Sequence, residues 1–288
     1  MTPLVYALVS HVGWGVGDIF ATIVTRKIGG FSSTFWSLVF RLILFGFYAP
    51  FVFQYLTDVT LGLIFVILLL GAIFIIGVVA FSEGLRVGNA ALVGTIAAAF
   101  PFVSVFLAIV FLGESLTLQQ YLAVGVIFVG LLLSGLNLKQ LKLPLSLDKG
   151  VWLGLAAMVS WGIYFGFIKI PVQRIGWFWP NYIVYAMFPF LLLFMRMRKI
   201  RLVMPTYKRA FSPMIVSVVL LSAADFSYNK AISAGSAAVV APIAGSYPAL
   251  FVVLAFLVFK DPITKQQLAG IITTLAGIIL LSVFTGFG

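Results

Sequence analysis

Residues 60–81 read TLGLIFVILLLGAIFIIGVVAF. The run holds no charged residue and exceeds the roughly 20 residues that an α-helix, rising 1.5 Å per residue, needs to cross about 30 Å of hydrocarbon. It is predicted to be a membrane span. Working outward, apolar windows between Gly, Pro and charged interruptions predict helices near 4–24, 34–53, 60–81, 90–112, 118–136, 150–170, 179–196, 211–230, 235–259 and 264–286. The fold class expected is an all-α membrane protein of ten transmembrane helices. Composition agrees, since 63% of residues are hydrophobic and 9% charged, against roughly 45–50% and 25% in a soluble domain. A soluble fold could not hide that much apolar surface.

The sustained polar stretch Asn137–Lys149 divides the chain near its midpoint. Sliding the sequence against itself by 147 residues sets Gly88-Asn89-Ala90-Ala91-Leu92-Val93 on Gly235-Ser236-Ala237-Ala238-Val239-Val240. The register continues without a gap. It pairs Pro101 with Pro248, Glu114 with Asp261, Thr117-Leu118-Gln119-Gln120 with Thr264-Lys265-Gln266-Gln267, and Gly130 with Gly277. It also pairs Val12-Gly13-Trp14-Gly15 with Val159-Ser160-Trp161-Gly162. From position 88 to 134, 15 of 47 pairs are identical, and apolar composition alone does not align Pro, Gly, Trp and Gln-Gln at one offset. The chain reads as a duplication: a first five-helix repeat over 1–136, a linker over 137–149 and a second repeat over 150–288. Five is odd, so the second copy enters the membrane from the opposite side and the repeats are expected to be inverted. That arrangement belongs to alternating-access carriers, with the substrate site near the midplane between halves.

The run Ala80-Phe81-Ser82-Glu83-Gly84-Leu85 through Ala90-Ala91, then Pro101, then Phe111-Leu112-Gly113-Glu114 followed by Gly125 and Gly130, resembles the EamA repeat of the drug/metabolite transporter superfamily. The second copy departs from it with Lys260-Asp261-Pro262 where the family usually has Gly-Glu. The resemblance covers essentially the whole chain. It implies a ten-helix carrier for small organic solutes with a central cavity, and an integral protein of a prokaryotic cytoplasmic (inner) membrane is the location expected.

The net charge of +11 would suggest nucleic acid in a soluble protein. Here the basic residues sit in loops, where they meet anionic headgroups and set orientation, so no nucleic-acid partner is expected. Of 18 Lys and Arg, 14 follow odd-numbered helices, which puts the odd loops in the cytoplasm and both termini outside. Several relatives in the superfamily are instead described with cytoplasmic termini. The stretch Leu4–Val24 exceeds a usual signal h-region and is expected to be a retained first span. There is no cysteine and one histidine, so thiol chemistry is excluded and a His-rich metal centre is not expected. No phosphate-cradling Gly-Lys motif or Ser-His-Asp arrangement appears, so the chain does not read as an enzyme, and no cofactor is expected.

Polar side chains inside the spans carry the functional expectation, because a carboxylate in hydrocarbon costs roughly 2.5–3.5 kcal/mol on insertion scales. His11, Trp14 and Asp18 share one face of helix 1 by i, i+3, i+7 spacing. Asp225, Tyr228 and Asn229 share a face of helix 8, and helix 6 offers Trp161 and Tyr164. These eight are the candidate substrate or coupling residues. Ser82 and Glu83, equivalent to Asn229 and Lys230 in the repeat register, join Lys230 as gate candidates. Pro101, Pro242 and Pro248 are hinge candidates, since each removes a backbone donor and bends its helix. Arg41, inside helix 2, is expected to neutralise a buried acid or reach a wet crevice. Lys169 lies close to Arg174 and is expected near the interface. Glu114, Asp261, Thr117 and Thr264 read as structural, the threonines as N-caps.

The leading expectation is a secondary transporter exporting small polar metabolites, amino acids above all, by alternating access. Proton-coupled cation or drug efflux, supported by Asp18 and Asp225, is one alternative, and organic-phosphate or nucleotide-sugar carriage, supported by Lys169 and Lys230, is another. Outside transport, an intramembrane enzyme or a lipid-handling scaffold remains. The partners expected are a small-molecule substrate and the lipid bilayer, with protons as candidate coupling ions. A monomer fits the pattern, and the oligomeric state is left open.

Overall fold

A computed structural model describes residues 2–87, 90–135, 149–205, 210–260 and 263–286. Most of the linker expected over 137–149 lies outside the described residues, as do Gly88, Asn89, Asp261 and Pro262. Fourteen α-helices run in order, with no strand among the described residues: α1 (Pro3–Ile28), α2 (Gly30–Gly46), α3 (Leu61–Val87), α4 (Ala90–Ala98), α5 (Phe100–Leu112), α6 (Leu118–Gly135), α7 (Lys149–Phe167), α8 (Lys169–Ile175), α9 (Trp179–Tyr185), α10 (Phe188–Met197), α11 (Ser212–Ala234), α12 (Ala237–Gly245), α13 (Tyr247–Phe259) and α14 (Lys265–Phe284). A 3-10 segment, Ala49–Asp58, follows α2.

Among the described residues eight helical segments are long and apolar enough to cross a bilayer. The second and fourth expected spans are the two that fall short. In the second, α2 meets the 3-10 segment at 94°, and in the fourth the apolar part is the shorter segment Ile96–Leu112. Large apolar side chains such as Phe65, Phe106, Leu122 and Ile279 are exposed on the outside of the bundle, as a lipid-facing surface requires.

The backbone repeats itself at the offset read from sequence. α4 and α5 break at Ala99, with φ −81 and ψ 5, and α12 and α13 break at Ser246, with φ −80 and ψ 5. Pro101 and Pro248 each stand in the first turn after the break, where the missing N–H costs no helical bond. Pro242 lies inside α12, which continues through it. Gly29 and Gly176 end α1 and α8 at φ 82 and 75, and Gly113 and Lys260 end α5 and α13 at φ 67 and 62. The left-handed C-cap favours glycine, so Lys260 holds it at a conformational cost that Gly113 avoids. Thr264 closes a capping box with Gln267, and Thr117 and Gln120 bond reciprocally in the same way.

Packing follows the same exchange. α1 lies on α11 as α7 lies on α3; α1 meets α12 and α13 as α7 meets α4 and α5; α6 packs on its own equivalent, α14. Small residues permit this. A Cβ on Gly130 would fall 2.4 Å from the Thr274 backbone nitrogen, and one on Gly277 would fall 2.8 Å from that of Ile127. The exchange is incomplete: α13 packs on α6, whereas α5 makes no comparable contact with α14 among the described residues. α12 packs on α5 and α6, whereas α4 makes no comparable contact with α13 or α14 among the described residues.

One end of the bundle gathers Pro3, Gln120, Glu114, Lys169, Gly235 and Phe284, through the approach of Pro3 to Gly235, the Gln120–Phe284 bond and the Glu114 contacts described below. We call it the termini end.

Candidate functional site

The segment Gly13-Trp14-Gly15-Val16-Gly17 sets α1 in the middle of the molecule. A Cβ on Gly13 would lie 2.8 Å from Cβ of Ala224, and one on Gly17 would lie 2.7 Å from Leu221. α1 and α11 therefore meet backbone to backbone, as small-residue faces allow. Gly15 admits Leu250 of α13 on another side, and Gly162 admits Val103 of α5 at the equivalent place in the second half.

This close approach brings Trp14 against Asp225. The indole Nε1 donates to Asp225 Oδ1 at 2.8 Å. Arg41 Nη1 of α2 donates to Oδ2 at 2.6 Å, and the Tyr185 hydroxyl of α9 donates to the same oxygen at 3.2 Å. The Arg41 guanidinium also lies over the Tyr185 ring, 5.2 Å from its centre. The Arg41 and Asp225 side chains are 9% and 14% exposed, so this ion pair lies in the interior and solvent screening is weak. Arg41 Nε is buried without a hydrogen-bond partner among the described residues.

Asp18, one turn along α1 from Trp14, is half-buried and hydrogen-bonds the Tyr247 hydroxyl at the start of α13. It is close enough to Asp225 and Arg41 to interact with both charges. The cluster thus contains two carboxylates and one guanidinium. Around it stands an aromatic shell: Trp14 has ring neighbours Phe165 at 5.1 Å, Tyr228 at 5.6 Å, Tyr247 at 5.8 Å and Phe100 at 6.5 Å.

Not all the sequence candidates join this cluster. His11 lies within 3.1 Å of the Ile243 carbonyl and of the Ser246 hydroxyl, so it ties α1 to the α12–α13 break. The Tyr228 hydroxyl donates to the Phe165 carbonyl, and Asn229 donates to the Trp177 carbonyl, both at 2.9 Å. Tyr164 donates to Asn181 at 2.8 Å. Trp161 packs on Phe81 and Phe100, with ring centres 5.2 and 6.2 Å away. Ser82 packs on Gly30, a contact near the opposite end of the bundle, and Glu83 is half-buried one residue on. Lys230 lies over Trp177 at 4.9 Å and Tyr6 at 5.5 Å. Arg41 fulfils the expectation of a buried base meeting an acid. The sequence reading missed Tyr185 and Tyr247, because a tyrosine in an apolar helix gives no periodic signal of its partner.

A second polar cluster lies at the termini end. Lys169 Nζ donates to Glu114 Oε1 at 2.5 Å and to the Gly235 carbonyl at 3.0 Å. Glu114 also accepts from the N-terminus of α12: the Ser236 hydroxyl at 2.7 Å and the backbone N–H groups of Ala237 and Ala238 at 3.0 and 2.8 Å. Burial alone would raise the Glu114 pKa, but the bonds from Lys169, Ala238, Ser236 and Ala237 outweigh it and hold the carboxyl below the ordinary glutamate value. Glu114 therefore caps a helix of the other half, whereas the helix that follows it in sequence is capped by Thr117.

A family model described as the EamA-like transporter family matches residues 1–136 and again 148–283. An uncharacterized protein of Methanocaldococcus jannaschii is 29% identical over 137 residues, which cover 48% of this chain and 98% of that protein. That relative is thus about one repeat long. A solved crystal structure superposes with a TM-score of 0.78 over 98% of this chain and 96% of its own, at 13% identity, a likeness of fold.

Proposed function

The chain belongs to the EamA-like transporter family, and from that premise we propose that it is a secondary transporter that exports small zwitterionic metabolites, amino acids above all, by alternating access of two inverted five-helix repeats making ten crossings. The observation that carries the reading is the central cluster of Arg41, Asp225 and Asp18. A zwitterion presents a carboxylate and an ammonium a few ångströms apart, and the cluster offers a partner for each. The carboxylate is drawn to the guanidinium, whose Nε has no partner among the described residues. The ammonium is drawn to Asp18 or Asp225. The aromatic shell around Trp14 suits an apolar side chain. Such an exchange of partners gives each charge of the bound zwitterion an opposite charge to meet, which is what a low-dielectric site demands.

A second reading, proton-coupled efflux of organic cations, is favoured by the excess carboxylate, since one guanidinium cannot neutralise both Asp18 and Asp225. The organic-phosphate alternative draws less support, because Lys169 bonds Glu114 and Lys230 lies against aromatic rings.

The test is counterflow in proteoliposomes with a labelled metabolite panel, with and without a pH gradient. Accelerated exchange of neutral amino acids is expected. Exchange of organic cations alone, driven by the gradient, would replace this reading with the second.

A further inference from the structure

The connector that follows α2 and the one that follows α10 are equivalents in the repeat register, residues 49–58 pairing with 196–205, yet their chemistry is opposite. The first is the 3-10 segment Ala49–Asp58, which holds no Lys or Arg and exposes Phe51, Phe53 and Tyr55. The second carries Arg196, Arg198, Lys199 and Arg201 within six residues, and no Asp or Glu occurs between Asp148 and Asp225. Contacts set the two at opposite ends of the bundle. Tyr55 lies beside Gly176 and Tyr48 beside Trp177, and Lys230 joins Trp177 to Tyr6, one turn from Pro3 at the termini end. The basic connector lies on Ser32 and Trp36 of α2, beside the Gly30 to Ser82 contact of the other end.

Backbone bonds fix the basic connector in place. The Ile200 N–H donates to the Met195 carbonyl at 2.8 Å and the Lys199 N–H to the Arg196 carbonyl at 3.1 Å, the paired bonds that close a helix. That closure puts Lys199 in the left-handed region at φ 54, where glycine is the usual residue. The Val203 N–H donates to Ser32 Oγ at 3.0 Å, and the Val203 carbonyl accepts from Trp36 Nε1 at 2.9 Å. The connector is thereby fastened to α2. Ile200 and Leu202 pack against the core, while all four cations are exposed and none forms an ion pair among the described residues. The Arg198 guanidinium lies 5.9 Å from the centre of the Phe194 ring, which stacks on Phe31 of α2. Met197, Val203 and Met204 are exposed among the cations. The dipole of α10 accounts for a cation in its last turn, Arg196, but Arg198, Lys199 and Arg201 follow the helix.

We propose that Arg196–Pro205 is a docking site for the headgroup of an anionic phospholipid, whose phosphate meets the cations while its upper acyl chains lie against Met197, Val203 and Met204. The occupant follows from place and chemistry. Exposed apolar side chains set among cations at the end of a membrane span face headgroup and hydrocarbon together, and a soluble anion satisfies only the first. Arginine forks match phosphate oxygens. The site is more particular than the general attraction of loop cations to a membrane surface, because four charges are held on one fastened connector. It does not depend on the proposed substrate class.

The chain has no cysteine, so a fluorophore can be attached through Met204→Cys or through its register equivalent Thr57→Cys, both exposed positions. Purified protein is reconstituted in phosphatidylcholine containing a small fraction of either phosphatidylglycerol or phosphatidylcholine that bears a nitroxide on its upper acyl chain, and quenching is read. At Met204→Cys quenching should be about fivefold more efficient with phosphatidylglycerol, the factor that one cation near an anionic surface is worth. At Thr57→Cys the two lipids should quench equally. Arg198→Gln with Arg201→Gln should bring the Met204→Cys ratio below about twofold, and Arg198→Lys with Arg201→Lys should keep most of it. Lys149→Gln with Lys265→Gln removes two exposed cations from the same end without touching the connector, and should leave the ratio unchanged. A variant that had unfolded would alter quenching at Thr57→Cys as well. Equal quenching by the two lipids at Met204→Cys, or an equal loss in the Lys149 and Lys265 variant, would overturn the site, the latter in favour of diffuse surface charge. Loss of the ratio on adding inorganic phosphate at constant ionic strength would also overturn it, in favour of a free anion.

Discussion

Replacing Asp225 by Asn isolates the energetics of the central cluster. The carboxylate accepts from Trp14, Arg41 and Tyr185. An Asn in its place can keep the Trp14 bond through its carbonyl, but its amide then faces Arg41 donor to donor. The guanidinium is left buried with its charge unpaired, and breaking a buried pair in this way costs about 3–5 kcal/mol. Asp18 stands nearby and supplies some of the missing negative charge, so the lower end, about 3 kcal/mol, is expected. Combining Asp225→Asn with Arg41→Gln removes the stranded charge and should restore part of the loss, giving a coupling energy of about 2 kcal/mol. The assay is unfolding of purified protein in mixed micelles by increasing sodium dodecyl sulfate, read by tryptophan fluorescence, for the wild type, both single variants and the double. Single variants that each lie within 1 kcal/mol of wild type, with additive effects in the double, would refute the account of Arg41 and Asp225 as one buried unit.

Asp18 should behave differently. Its hydrogen bond to Tyr247 survives in Asp18→Asn, whose amide is neutral and well tolerated, so the variant should match wild type in unfolding yet lose transport driven by a pH gradient while keeping downhill counterflow. Gradient-driven uptake unchanged in that variant would return Asp18 to a structural role. Gly130→Ala should destabilise by about 1–3 kcal/mol, because its methyl meets the Thr274 backbone, whereas Gly125→Ala, with nothing within 4 Å of the added Cβ, should be neutral; detergent unfolding of the pair checks both. Reporter fusions after Lys142 and after Arg201 should both read cytoplasm and a fusion at Gly288 the exterior, and a cytoplasmic C-terminus would overturn the orientation drawn from charge.

What the sequence determined by itself is the local and the repeated. Helices in hydrocarbon must satisfy their own backbone, so long apolar runs declare themselves without reference to neighbours. The 147-residue offset carried the positions of helix breaks, left-handed caps and glycine contacts from one half to the other, because those features depend on Pro, Gly and Thr at fixed places. The insertion cost marked Asp18, Asp225 and Arg41 as residues that need partners, but it did not say which partner each takes. Only the tertiary structure decided that Arg41 and Trp14 go to Asp225, that Tyr247 goes to Asp18, and that Lys169 goes to Glu114 across the halves. A span's pattern gives the face of a side chain and not the helix that face meets. The packing of α12 on α5 and α6 is further from the sequence still, since the approach of Gly245 to Pro101 and the reach of Lys169 to the Gly235 carbonyl appear only once their neighbours are in place.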